Sequence, residues 1–474
     1  MQRMLHPTLE SELAAIVGAA NLRTSDVDLL AYGYDGTWYE RAPLCVVLPG
    51  STEEIRAIHR IATRERLALT PRAMGSGLSG GAVPLAGGIV LGVSRLDRIL
   101  EIDEVNGVAV VQPGVITADL QKAVEARGLF YPPDPSSLRQ SAIGGNVAEN
   151  AGGARCLKYG VTADYVAALE VVLPGGELVR TGGKMVKNVT GYDLRALFTG
   201  AEGTLGTITE ITLRLLRKPA FAKTATAAFA SLEDAAAAVI AIADAGLLPT
   251  SIELMDRLTM TCVEAMRPAG LPLEADALLL FAVDGNYEKI VDAELGRIAE
   301  IARERGAFET RVAANEGESL RLWEARRAIS PALARRMPNK LGEDISVPRS
   351  ELVGTVRAIR KIAARHDLLI PIFGHAGDGN LHPNILCDRR DAAQMARVRT
   401  AAREIFEVAV AAGGTLSGEH GIGLLKKQFM ELDLGADALA LMRRIKDAID
   451  PLGIMNPGKI FPDPGGIDAF DLPA

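Results

Sequence analysis

RAMGSGLSGGA, residues 72–82, carries Gly75, Gly77 and Gly80 in the order G-x-G-x-x-G. That spacing is the fingerprint of dinucleotide binding on a strand–turn–helix unit, where the pyrophosphate meets the helix N-terminus. The upstream half of this context is present, since LALTPR (67–72) reads as a short strand. The downstream half is missing. AVPLAGGIVLGVS follows Gly81, with Pro84, two more glycines and an apolar run of β type, and no 3.6-residue periodicity starts there. The stretch is therefore a glycine loop between two strands. Its backbone amides can still cradle phosphates, because glycine permits close approach and positive φ. An ordinary glycine-rich turn is the alternative, and a lone fingerprint does not separate the two.

Working outward, CVVLPG (45–50) reads as strand and turn, and STEEIRAIHRIATRERL as a helix, with Ser51 and Glu54 spaced as a capping box. GIVLGVS (88–94) and VAVVQPG (108–114) read as strands, and Thr117 to about Arg127 as a helix. VVLPGGELV (171–179) is two β-type runs around a Pro-Gly-Gly turn. Composition shifts after LRLLRKPA (213–220), where β-type runs begin to alternate with longer helices. A boundary near 220 follows. A helical segment is expected from about 397 to 450, then an extended, Pro/Gly-rich end.

A chain of 474 residues implies two or three domains. Its net charge of −7 gives no reason to expect nucleic acid or an anionic membrane surface as a partner. Cys45, Cys156, Cys262 and Cys387 form no CxxC pair, which argues against an iron–sulfur cluster or a cysteine zinc site in this chain and suits a reducing compartment. The N-terminal MQRMLHPTLESELAAIVGAA reads as an amphipathic helix rather than a signal peptide, and no apolar stretch is long enough to span a bilayer.

Two further glycine regions lie in the first half. Gly144, Gly145, Gly152 and Gly153 flank a short polar segment within residues 132–160, and Gly200, Gly203 and Gly206 recur every three residues. Each could serve close packing at a sheet crossing. Three together point to one extended ligand with a pyrophosphate and ring systems.

Three of the six histidines fall in two tight motifs. FGHAGDGNLHPN holds His375 and His382; SGEHGIG holds Glu419 and His420. Two imidazoles and a carboxylate are a ligand set for Zn²⁺ or a Mn²⁺-like ion, with coordination positions left open. Separate polar loop residues are the plainer alternative. LWEARRAIS places Arg326 and Ser330 four apart, hence on one helix face.

PRAMGSGLSGGA, PPDPSS, AIGGNVAENAGGARCLKYG and LFTGAEGTLGTITEITLRLLRKP resemble the FAD-binding domain of the vanillyl-alcohol-oxidase/p-cresol-methylhydroxylase flavoproteins. Within that superfamily the chain is most similar to the branch holding the FAD-containing subunits of bacterial glycolate oxidases and the D-lactate and D-2-hydroxyglutarate dehydrogenases. The resemblance implies an α+β fold: a two-subdomain FAD-binding domain over 1–220 (core about 42–220), then a C-terminal α/β cap domain with an antiparallel sheet and helices over 221–450, and a tail, 451–474, returning to the first domain. It implies non-covalent FAD held by Pro71, Arg72, Ala73, Met74, Gly75, Ser76, Gly77, Leu78, Ser79, Gly80 and Gly81 around the pyrophosphate. Asp134, Pro135, Ser137, Gly144, Gly145, Asn150, Gly153, Gly203, Ile208 and Asn456 would line the rest. Some members tether the flavin through a histidine at the position of Ser76; this loop has no His or Cys.

The same resemblance makes His375, His382 and Glu419 ligands of a divalent metal and His420 the catalytic base. Asn384 becomes a substrate contact, and Arg326 with Ser330 the carboxylate-binding pair. The 2-hydroxyglutarate enzymes carry a lysine at the position of Gly342 or Glu343, and Lys340 is out of register with it, which favours glycolate or D-lactate. The implied partners are an iron–sulfur subunit and a second FAD-domain subunit, or a soluble electron carrier; a homodimer is compatible. The implied location is cytoplasmic, peripheral to the inner membrane through those subunits. A metallohydrolase using the histidine motifs, or a scaffold subunit that merely carries FAD, are the competing readings.

Overall fold

The computed structural model describes residues 5–462. They form two compact units. The first takes the described residues up to Gly152, Val161–Lys218 and those from Glu419 onward; the second takes Gly153–Gly160 and Pro219–Gly418. The break between Lys218 and Pro219 lies beside the boundary read near 220, but two segments are divided differently. Residues 419–450, expected in the cap, go with the first unit, and 153–160 go with the second.

Beside a two-stranded pairing of Leu129–Phe130 with Leu216–Arg217, the first unit is built on two larger sheets. One runs Leu22–Arg23, Cys45–Val47, Ile89–Gly92, Leu69–Arg72 in spatial order, the last three parallel. Cys45–Val47 and Ile89–Gly92 are buried along their whole length, which is why they read as unbroken apolar runs. The helix Thr52–Glu65 makes the crossover. Ser51 Oγ accepts from Glu54 N, while the Glu54 carboxylate turns back to Gly50 N at 2.8 Å. Ile55, Ile58 and Ile61 pack it onto Leu69, Ile89 and Leu91. The second sheet is antiparallel, ordered Ile99–Asp103, Val108–Val111, Thr207–Arg214, Val166–Val172, Leu178–Gly182. The chain end returns here: Leu69 N donates to Ile454 O and Asn456 N to Leu69 O, both at 2.8 Å. Residues 463–474 of the expected tail lie outside the described residues.

The second unit holds an eight-stranded sheet whose main path runs Ala307–Val312, Phe221–Phe229, Ala277–Gly285, Ser251–Asp256, Ile372–His375, Asn380–Cys387, Asn339–Gly342, with Ile345–Ser346 also on Asn380–Cys387. Every pairing is antiparallel. Ala228, Met255, Leu278, Phe373 and Leu386 share one face and pack under the helices Arg257–Met266 and Ile329–Arg336.

Two expectations are corrected. Arg326 and Ser330 do not share a helix: one ends at Arg327, the next begins at Ile329, and Ala328 joins them. Pro331 explains the break, since it has no N–H for the Arg327 carbonyl and its ring crowds that carbonyl. The helical segment near 397–450 is likewise two helices, Ala392–Ala411 and Met430–Ile449. Between them lie Gly413, Gly414, Gly418, Gly421 and Gly423, too many helix-breaking residues for a continuous helix. No helix among the described residues is long and apolar enough to cross a membrane.

Candidate active site

In the first unit the three glycine regions meet. A Cβ on Gly145 would stand 3.5 Å from Ala73 Cβ, one on Gly203 3.3 Å from Pro71, and one on Gly200 3.5 Å from Asn150. Gly200 N donates to Val147 O (2.9 Å) and Glu202 N to Ala148 O (2.8 Å). Asn456 Nδ2 bridges Gly81 O (2.9 Å) and Glu202 O (2.8 Å). Residues 73–81 form no helix or strand, and Gly80 has a φ of +82°. Among the described residues, no N–H from Ala73 to Gly81 donates to a backbone carbonyl. A loop of unspent N–H donors is what a pyrophosphate needs, so these residues fit FAD.

Arg72 is buried and donates to Tyr34 O at 2.5 Å, its guanidinium lying against Gly75; it braces the loop from below. Asn150 adopts the left-handed conformation (φ 54°) and accepts from Ala163 N at 2.8 Å. Ser137 O accepts from Gln140 and Ser141, and Pro135 O from Leu138, closing a turn beside Asp134. Ile208 lies half-buried in the strand Thr207–Arg214, and Gly144 packs on Pro113. Gly153 belongs to the second unit.

The second unit gathers His375, His382, Asn384 and Arg326. His375 ends one strand and His382 lies on the next, after a turn of Ala376–Asp378. Gly379 closes that turn at φ +85°, where any Cβ would overlap Val347 O. The cross-strand pairs His375↔Asn380 and Phe373↔His382 put both imidazoles on one face, ring centroids 5.1 Å apart and edge to face. Asp256, at the far end of Ser251–Asp256, accepts from Ile372 N at 2.9 Å and anchors the strand that ends at His375.

A carboxylate addresses Nδ1 of each imidazole. Glu253 lies directly opposite His375, and its Oε1 is 2.7 Å from His375 Nδ1. Asp344 Oδ1 is 3.5 Å from His382 Nδ1; Asp344 also accepts from Asn380 Nδ2 (2.7 Å) and Ser417 Oγ (2.8 Å). A carboxylate on Nδ1 fixes the ring and leaves Nε2 as the ligand atom, which is the usual support of a histidine-bound metal. The donor set therefore fits a divalent ion. Glu253 also binds Arg326, Nε to Oε2 at 2.5 Å, with the Arg326 guanidinium 5.2 Å from the Phe373 ring centre. Burial alone would raise the Glu253 carboxyl; Arg326 and then His375 more than offset this and hold it below the ordinary value. Arg326 is 5% exposed, and its Nη2 is buried without a hydrogen-bond partner among the described residues.

Asn384 is buried, its Nδ2 donating to His382 O at 3.1 Å. Ser330 is exposed, and its Oγ accepts from Lys340 Nζ at 2.7 Å. Lys340 and Gly342 share the face of Asn384 through the pairs Lys340↔Leu386 and Gly342↔Asn384. Burial brings the Lys340 ammonium down to about 8. Glu419 and His420 belong to the first unit; they follow directly on Gly418, whose N–H donates to Asp344 O at 3.2 Å. His420 Nε2 lies 3.8 Å from Glu419 Oε1.

Glu253 and Asp344, the carboxylates facing the two imidazoles, were missed by sequence reasoning. A legible signal existed for the first: a carboxylate inside the otherwise apolar run IELM, where only a paired acid is tolerated. Asp344 had no comparable signal.

The family model for the C-terminal domain of FAD linked oxidases matches residues 218–460, and that for an FAD binding domain matches residues 43–182. The chain is 45% identical over 459 residues to glycolate oxidase subunit GlcD of Bacillus subtilis (strain 168), covering 97% of each protein. It is 35% identical to D-2-hydroxyglutarate dehydrogenase of Stutzerimonas stutzeri (strain A1501), over 97% of this chain and all of that protein. Among solved structures, 4-ethylphenol oxidase from Gulosibacter chungangensis superposes with a TM-score of 0.78 at 22% identity, over 96% of this chain and 97% of that one. P-cresol methylhydroxylase gives the same TM-score at 18% identity, so the fold is of that type. Glycine loop, fold and sequence agree: the chain belongs to the FAD-linked oxidase family and is an FAD-dependent oxidoreductase.

Proposed function

We propose that the chain oxidises a small 2-hydroxyacid, glycolate or D-lactate, to the 2-oxoacid and passes the electrons to an external acceptor. The observation that carries this is Arg326. A buried guanidinium with Nη2 unpartnered, on the sheet face that bears two oriented imidazoles, is a receptor for a carboxylate. The relatives named for glycolate and for D-2-hydroxyglutarate support the substrate class.

When bound, FAD takes up the hydride, and a divalent ion supplies Lewis-acid polarisation of the hydroxyl. His375, His382 and Glu419 would hold that ion, zinc or manganese. Arg326 binds the substrate carboxylate while Glu253 holds the guanidinium in place. His420 takes the hydroxyl proton, a general-base task that an imidazole can perform. Asn384, fixed by the His382 carbonyl, orients the substrate. Ser330 serves through Lys340 rather than as a direct partner of Arg326.

Lys340 favours a second reading. An ammonium on the same face as Asn384 suits a distal carboxylate, as in D-2-hydroxyglutarate. Anaerobic flavin bleaching against glycolate, both lactate enantiomers and D-2-hydroxyglutarate tests both; bleaching by none of them would sink the proposal. Prolonged chelation is expected to slow bleaching and leave the resting flavin spectrum unchanged. Full activity in protein shown metal-free by elemental analysis would refute the metal.

Acid precipitation is expected to release all the flavin, because the loop around Ser76 has no His or Cys to hold it. Yellow colour retained in the pellet is the contrary result. We further propose that the electrons leave through an iron–sulfur subunit and a second FAD-domain subunit, or a soluble carrier, with the chain cytoplasmic and peripheral to the inner membrane. The GlcD relative is itself named a subunit.

A further inference from the structure

Glu149 closes the helix Ile143–Glu149 in the first unit, and its carboxyl group lies where two other segments of that unit converge. Oε1 faces the glycine loop: Ser79 Oγ is 3.5 Å away, and a Cβ on Gly81 would stand 2.7 Å from it. Oε2 faces Gly421 so closely that a Cβ there would overlap it. That oxygen is buried and has no hydrogen-bond partner among the described residues. Glu202 borders the same glycine, since a Cβ on Gly421 would stand 3.0 Å from Glu202 Oε1. Two carboxyl groups thus flank Gly421, the residue after His420.

Their surroundings differ. Burial raises the Glu202 carboxyl too, but Glu202 accepts from Ile422 N and Gly423 N, both at 2.7 Å, and Lys459 and Lys426 oppose the rise. Glu149 has one long contact with Ser79. Two buried carboxyl groups this close do not both ionise, and the one without N–H donors keeps the proton. Burial, then Glu202, then Asp35 push Glu149 well up against the opposing pull of Lys459 and Ser79. Ser79 also binds this segment through its carbonyl, which accepts from Leu424 N at 2.8 Å.

We propose that Glu149 is a positioning residue: its carboxyl group ties the glycine loop to the segment Glu419–Gly423 and so sets where His420 stands. The proposal rests on His420 being the base. It is tested on the holoenzyme with Glu149→Ala and Glu149→Gln. Alanine leaves the segment untied and slows flavin reduction by about 10- to 100-fold, with substrate affinity and bound FAD retained. Glutamine, equally neutral and of the same shape, restores most of that rate.

A stability readout is independent of activity. A carboxyl raised above its ordinary value of 4.5 binds more protons folded than unfolded. The parent therefore loses stability as pH rises above that value, and Glu149→Gln loses less, since Glu202 and Asp35, also raised by burial, remain. The melting-temperature advantage of the glutamine variant is expected to grow from pH 4.5 to 8. A flat difference, glutamine as slow as alanine, or alanine at the parent rate each overturns the proposal. If the alanine variant does not fold, the glutamine rate and pH series decide alone. Were His420→Ala to reduce flavin at the parent rate, the base assignment would fall while the pH series still reported on Glu149.

Discussion

His420→Ala is expected to slow flavin reduction by about 10²–10⁴-fold, the span a general base contributes, with substrate affinity little changed. The split follows from the division of labour among the residues. Under the proposed function, Arg326 and the residues around His375 and His382 carry ground-state binding, and His420 carries proton transfer. His420 adjoins Glu419 in the chain, with Nε2 3.8 Å from that carboxylate, so its loss removes proton acceptance and leaves the carboxylate in place. Arg326→Ala is expected to behave differently, weakening substrate binding as well as slowing reduction. Stopped-flow bleaching across substrate concentrations separates the two variants. Reduction at the parent rate by His420→Ala would move the base elsewhere.

Glu253→Ala is expected to destabilise the protein by about 3–5 kcal/mol, the usual result of removing one partner of a buried ion pair. Arg326 would then hold an unopposed charge at 5% exposure, and His375 Nδ1 would lose its acceptor. The second loss is expected to lower metal affinity by about 10–100-fold, as for other carboxylates behind a ligating histidine. Urea unfolding measures the first effect and elemental analysis against buffered metal the second. Glu253→Gln is the milder companion: it keeps the volume and a carbonyl for His375 but not the charge facing Arg326. A stable alanine variant with the parent metal content would show that Glu253 serves neither neighbour.

The extent to which each feature was legible depends on the range of the interaction that creates it. The glycine loop at 72–82 was readable as a loop between strands because its context is local: Pro84 and the apolar run after it exclude a helix within a few residues. The helix Thr52–Glu65 was readable for the same reason, its cap sitting three residues from the partner it needs. Spacing also singled out His375 and His382, which the structure places on one face of adjacent strands. Local reading failed at Arg326 and Ser330, where spacing four apart suggested one helix face and Pro331 ended that helix instead.

Only tertiary structure decided the partners. Glu253 is 122 residues from His375, and nothing in either motif sets the antiparallel register that makes them direct neighbours. The meeting of the three glycine regions, and of Glu149 with Glu202 around Gly421, likewise depends on how distant segments cross. A sequence records the short-range backbone preferences of each segment. Which buried acid faces which histidine is set by sheet register and packing, whose free energy is shared across the whole core.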